Sequence, residues 1–169
     1  MGRSSRHVDP GSARGDRTLT IRSSGPAEAE TLLTLQRAAS LAGLAHIYPP
    51  EQYPYPDAAI LERWRAFPGR VVVAEEDGVP VGVAATDACW LHGFYVVPER
   101  WGSGIADALH DAALEALECD EVKLWVLEEN GRARRFYEKR GWVPNGETRV
   151  VEYPPHPLDV GYSLRLEDR

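Results

Sequence analysis

Long hydrophobic runs are missing from this chain. No stretch approaches the roughly 18 apolar residues that a membrane-crossing helix needs. The opening residues are polar and carry no apolar core of the secretory type. Both absences lead to the expectation of a cytoplasmic protein with no membrane partner. Cysteine is scarce: Cys89 and Cys119 stand far apart with no metal-ligand spacing, a pattern expected of reduced thiols and of no metal centre. Positive charge is in deficit, with 19 Lys and Arg against 26 Asp and Glu and a net charge of −7. That balance disfavours a nonspecific nucleic-acid binder. Internal repeats and low-complexity tracts are lacking as well.

What remains is enough for one full hydrophobic core in 169 residues. Residues 1–17 are rich in Gly, Ser, Arg and Asp and nearly devoid of large apolar side chains, so they are expected to be a flexible leader. Residues 18–169 are expected to form a single domain. Short runs of β-branched and aromatic residues at 18–23, 70–76, 79–86, 91–97, 121–127, 146–153 and 161–166 read as strands. Helical spacing follows Pro26, follows Asp57 as a cap, follows Gly104, and covers 131–140. Strands and helices alternate only partly. The expected fold is therefore α/β in the α+β sense: a mixed, mostly antiparallel twisted sheet of about seven strands with helices on both faces.

The chain is organised around Leu91 to Leu109. An apolar strand ends at Pro98, which has no N–H for the ladder. Gly102-Ser103-Gly104 then allows a tight turn, and Ile105 and Leu109 begin an amphipathic helix. A strand, a glycine turn and a helix start aim several unpaired amides and the positive helix end at one point, a geometry that suits phosphate. A plain strand–turn–helix connection fits the same residues. Walker-type nucleotide hydrolysis is disfavoured, because Ile105 and Ala106 stand where Lys and Ser or Thr are needed. The dinucleotide fingerprint fails because Asp107 occupies its third glycine position.

The run Val97-Pro-Glu-Arg100-Trp101-Gly102-Ser103-Gly104-Ile105-Ala106 resembles the acetyl-CoA pyrophosphate loop of the GCN5-related N-acetyltransferases. That pattern is Gln or Arg, two residues, Gly, one residue, then Gly or Ala; here it starts at Trp101, a departure, with Arg100 next door. A second segment, Leu124 to Trp142, is similar to the strand and helix that follow in that family, with Asn130, Ala133 and Phe136-Tyr137-Glu-Lys-x-Gly-aromatic in order. The resemblance covers roughly residues 18–166. It implies strands splayed at an acyl-CoA site and an acetyl-CoA-dependent N-acetyltransferase. Direct transfer to a small-molecule or peptide amine would occur in a ternary complex, with no metal. A homodimer is a family-level expectation. An acyl-CoA-binding sensor that has lost transfer is the alternative.

Under this resemblance the backbone of Phe94, Tyr95, Val96 and Val97 would hold the pantetheine arm, with the Val96 or Val97 amide as oxyanion donor. Arg100, Trp101, Gly102, Ser103, Gly104, Ile105 and Ala106 would take the pyrophosphate. Asn130, Ala133, Phe136 and Tyr137 would complete the coenzyme site. The helix 131–140 carries five cations against Glu138. It is either a phosphate-binding surface, through at least one of Arg132, Arg134 and Arg135, or a solvated face. Transfer needs a neutral amine, and deprotonating a lysine-like amine costs about 4–5 kcal/mol at pH 7. It also needs an acid for the departing thiolate, and Tyr137 matches that role. The base is left open between His92, Glu76 or its neighbour Glu75, and a chain of water. The proline- and tyrosine-rich stretch 46–56 is either an acceptor wall or a packing loop.

Overall fold

The computed structural model describes residues 17–167; of the expected leader, residues 1–17, all but Arg17 lie outside them. The elements are β1 (Leu19–Ser24), α1 (Ala29–Gly43), α2 (Asp57–Ala66), β2 (Arg70–Glu76), β3 (Val79–Asp87), β4 (Trp90–Val96), α3 (Ile105–Glu115), β5 (Glu121–Leu127), α4 (Gly131–Lys139), β6 (Val143–Val150) and β7 (Leu158–Arg165). The seven strands form one sheet in the order β1-β2-β3-β4-β5-β7-β6. Every neighbouring pair is antiparallel except β4 and β5, which run parallel. The expected mixed, mostly antiparallel architecture is what the chain adopts.

Local chemistry explains the antiparallel half. Asp77 and Gly78 both adopt positive φ, 52° and 79°, the backbone that a two-residue turn needs to match strand twist. They join β2, with its three valines, to β3. Alternation then sorts the side chains. Val71 and Val73 pack under α1 and α2 with Leu32, Leu35, Ile60 and Trp64. Val72 and Ala74 pack on the opposite face with Leu109, Leu114 and Leu124, where α3 and α4 lie. Leu32 and Leu109 are fully buried, each stabilising the fold by about 1.5–3 kcal/mol. Among the described residues no helix is long and apolar enough to cross a membrane.

The junction of the two half-sheets is the feature that matters for function. Strands β4 and β5 share a single register pair, Trp90 with Lys123, and the Lys123 amide donates to the Cys89 carbonyl at 2.9 Å. Immediately beyond, β4 carries a bulge: Ala85 pairs with Gly93 and Thr86 with Leu91, leaving His92 as the extra residue. A bulge bends its strand and adds twist. From that point β4 leaves β5, and the sheet splits.

Several sequence expectations need correction. Asp57 does not cap α2: Pro56 holds the cap position, and the Asp57 carboxylate pairs with Arg37 at 2.5 Å. A 3-10 turn, Pro26–Glu28, precedes α1. The final strand starts earlier than expected, because Leu158 to Val160 already pair with β6. The largest correction concerns the thiols. Cys89 and Cys119 are joined in a disulfide, whereas reduced thiols were expected. The two are far apart in sequence, and only the fold brings the β3–β4 turn against the segment leading into β5.

The disulfide sits at the closed end of the split, beside the one β4–β5 contact. With the two positions 30 apart in sequence, chain entropy predicts that it contributes about 3–4 kcal/mol. Urea unfolding of Cys89→Ser/Cys119→Ser, or of the protein in dithiothreitol, should show a lowered midpoint of that size. An unchanged midpoint would show that the link carries no stability.

Candidate functional site

A cleft of about 770 Å³ occupies the split. One wall is the released edge of β4. The Val97 amide donates to Val81 on β3 at 2.9 Å, and Tyr95 pairs with Val83 in register. Backbone groups alternate between the two edges of a strand. Phe94 and Val96 therefore turn their N–H and C=O towards the split, where β5 no longer answers. Of the two amides expected as oxyanion donors, Val97 is committed to the sheet and Val96 faces the cleft.

The lower end is the start of α3. Gly102 and Gly104 both have positive φ, 75° and 90°, and nothing lies within 4 Å of a Cβ built on either. Backbone conformation, not crowding, demands glycine there. The first intrahelical bond runs from Ala108 N–H to the Gly104 carbonyl, and no side chain caps the helix. The amides of Ile105, Ala106 and Asp107 are therefore without helical partners. The Ser103 amide and hydroxyl both turn back to the Arg100 carbonyl, at 3.3 and 2.6 Å. Ile105 buries its side chain in the core at 4% exposure, so its contribution to the cleft is backbone only.

The opposite wall is α4. Asn130 caps it, its Oδ1 accepting from the Ala133 amide at 3.3 Å, and Asn130, Ala133 and Phe136 line the cleft. Tyr137 lies deepest, 8% exposed, held edge-on by Phe94, Phe136 and Trp142. Burial, with Tyr95 nearby, raises its phenol above the usual tyrosine range, so it keeps its proton at every ordinary pH. The helix is pinned to the sheet by a partly buried relay. Arg134 Nε donates to Tyr162 Oη at 2.9 Å, and Tyr162 Oη donates to Glu138 at 2.7 Å.

The cations of α4 separate into two groups. Arg134 is engaged with Tyr162 and the Glu128 carbonyl. Arg140 pairs with Asp107 at the start of α3 and lies on the Phe136 ring. Arg132 and Arg135 have no acidic partner among the described residues, and both line the cleft. Desolvation, with repulsion from Arg135 added, lowers the Arg132 pKa. An unneutralised pair of guanidinium groups beside exposed helix-start amides fits a diphosphate.

Other candidates lie elsewhere. Arg100 turns to Glu76 at 2.5 Å, and Glu76 also takes Arg17 at 3.1 Å. This ion-paired cluster sits on the β2–β3 hairpin, away from the cleft lining. Glu75 pairs with Arg22. His92, extruded by the bulge, packs between Phe67 and Trp90 at 5.8 and 6.3 Å, and burial lowers its pKa. The structure brings neither His92 nor Glu76 to the end of the cleft.

Sequence reading did not bring three side chains together. Tyr95 lines the cleft with its side chain while packing towards α1 and α2. Ser40, on the C-terminal half of α1, faces the same space. The Tyr55 hydroxyl is buried beside Ser40 and Tyr95. The strand of Tyr95 and the stretch 46–56 around Tyr55 were legible, but their convergence with Ser40 was not, since the three come from separate elements. The proline-rich stretch is drawn over this end by His46, whose Nε2 meets the Glu129 carbonyl at 2.8 Å.

Comparison with known proteins agrees with this geometry. The sequence profile of the "Acetyltransferase (GNAT) family" matches residues 35–142, well over half of the chain. An uncharacterized N-acetyltransferase of Archaeoglobus fulgidus is 43% identical over 81 residues, covering 40% of this chain and 55% of that protein. One from Methanocaldococcus jannaschii is 36% identical over 101 residues, covering 53% and 62%. The chain thus spans about half the length of the curated relatives it matches. Among solved structures, a GCN5-related N-acetyltransferase from Rhodopseudomonas palustris aligns with TM-score 0.73 at 21% identity, covering 88% of this chain and 96% of that one. An acetyltransferase from Salmonella typhimurium, solved with acetyl-CoA, aligns with TM-score 0.65 at 17% identity, covering 88% and 94%. At such identities the structures speak for the fold, and the family profile speaks for descent. The split sheet, the glycine turn at the head of α3 and the profile match together place the chain in the GCN5-related N-acetyltransferase family.

Proposed function

We propose that this protein transfers an acetyl group from acetyl-CoA directly to an amine acceptor. The observation that carries the reading is the continuity of one cleft, from the unpaired amides of Ile105 to Asp107 and the guanidinium groups of Arg132 and Arg135 to the buried phenol of Tyr137. The residues supply the three things the chemistry needs. Arg132, Arg135 and the helix-start amides would hold the coenzyme's diphosphate. The free edge of β4 would hold the pantetheine arm as an added strand, leaving the Val96 N–H for the developing oxyanion. Tyr137, kept protonated by burial, would give its proton to the departing thiolate.

The acceptor amine would approach from the α1–α2 side, past Ser40, Tyr55 and Tyr95. Neither Glu76, ion-paired on the hairpin, nor His92, beside the Phe67 and Trp90 rings, lines the cleft, so this reading assigns no dedicated base. The amine's proton would leave through water. The acetyl-CoA and coenzyme A named for two structural neighbours support this choice of donor.

Tyr137→Phe should retain coenzyme affinity in calorimetry while kcat falls by about 10²-fold or more; unaltered kcat would remove Tyr137 from the chemistry. The raised phenol pKa sets the sign of the pH profile. Activity should climb as the acceptor amine deprotonates, with no loss from Tyr137 ionisation below about pH 10. A descending limb centred near pH 8 that vanishes in Tyr137→Phe would contradict this. Arg135→Ala should weaken coenzyme A binding by about 10-fold or more, as expected for a lost charged hydrogen bond. Arg134→Ala should instead lower the melting temperature with little change in Kd.

A further inference from the structure

Between the phosphate end of the cleft and Tyr137, the route along β4 is crossed by two side chains. Trp101 leaves the loop before α3, and its indole N–H donates to the Val96 carbonyl at 2.8 Å. That carbonyl lies on the strand edge facing the split. The far rim of the indole reaches α1, where a Cβ on Gly43 would meet it at 3.7 Å. From the opposite wall, the Arg132 guanidinium lies flat on the ring, its Cζ 3.2 Å from the centroid. Indole and guanidinium thus bridge β4, α1 and α4. An extended arm bonded to the β4 edge has to pass the place where this pair stands.

The chemistry of the pair makes it responsive to one part of the coenzyme. Arg132 has no acidic partner among the described residues, and Arg135 repels it. Its hold on the indole is a cation–π contact, weaker than a bidentate contact to a phosphate oxygen pair. A ligand that brings phosphate to the start of α3 can therefore draw Arg132 off the ring. The indole then has lost its cover, and its remaining bond is to a carbonyl for which the arm's own amide competes. A Gln or Arg at position 101, as in the family pattern, could not form such a covered ring.

Building on the coenzyme reading above, we propose that Trp101 and Arg132 form a bar across the pantetheine route that only the phosphate-bearing half of the coenzyme releases. The pair thereby sets specificity for whole coenzyme A over short thioesters that carry the same reactive end.

The test follows the Trp101 indole 15N–1H resonance, assigned by its disappearance in Trp101→Phe, while calorimetry measures affinity in parallel. Coenzyme A should bind and move this resonance strongly. Pantetheine should bind at least 100-fold more weakly and, at the concentration at which coenzyme A moves the resonance, leave it in place. In Trp101→Phe, which keeps a ring but loses the N–H, and in Arg132→Gln, which keeps the indole, pantetheine affinity should rise about tenfold. A simple phosphate contact from Arg132 would lower coenzyme A affinity in Arg132→Gln and leave pantetheine untouched. Tight coenzyme A binding with an unmoved Trp101 resonance, or unchanged pantetheine affinity in both variants, would overturn the proposal while sparing the coenzyme reading. Absence of any coenzyme A binding to the wild-type protein would overturn both.

Discussion

The structure depends on the failure of two adjacent parallel strands to stay together. A parallel pair buried in a sheet normally satisfies every inward backbone group of both strands. Here β4 and β5 meet at Trp90 and Lys123 and then part. The Phe94 and Val96 groups are left without a strand partner, and the Val96 carbonyl is met instead by the Trp101 indole N–H. The bulge at His92 imposes the divergence on one side. The hydrogen bond from Lys123 and the Cys89–Cys119 link limit it on the other. The cleft is therefore a wedge with a fixed apex.

Around the wedge, electrostatics divides labour within one short helix. Four arginines of α4 and its C-cap look alike in sequence, yet Arg134 and Arg140 serve the fold and Arg132 and Arg135 face the cleft. The distinction follows from helical phase. Arg134 and Glu138, one turn apart, meet Tyr162 on β7 and form a closed relay. Arg132 and Arg135 line the split, and neither has an acidic partner among the described residues. Trp142 and His110 complete the packing behind Tyr137: the indole N–H donates to His110 Nε2 at 3.0 Å. The Nδ1 atom therefore carries the ring proton, which points to Asp111 at 3.2 Å.

The parts of the site legible in the chain were those built from contiguous backbone. Gly102 and Gly104 announced a turn because only glycine sits easily at positive φ, and Asn130 announced a helix start because its amide reaches a residue three positions on. Tyr137 stood out by its place in a motif. Candidates judged by side-chain chemistry alone fared differently. His92 and Glu76 have suitable functional groups, but a bulge turned one out beside the Phe67 and Trp90 rings and a hairpin drew the other into an ion-pair cluster. Residue type says what a group can do, and only its neighbours decide whether it is available.

Periodicity, turn residues and glycine positions were enough to place the strands, the helices and the glycine turn at the head of α3, because each rests on interactions within a few residues. The tertiary structure alone decided where β4 and β5 separate, which arginines remain unpaired, that Trp101 lies under Arg132, and that Cys89 reaches Cys119. Those outcomes depend on packing between elements remote in sequence. No local rule encodes which distant side chain will arrive first at a given charge, ring or thiol.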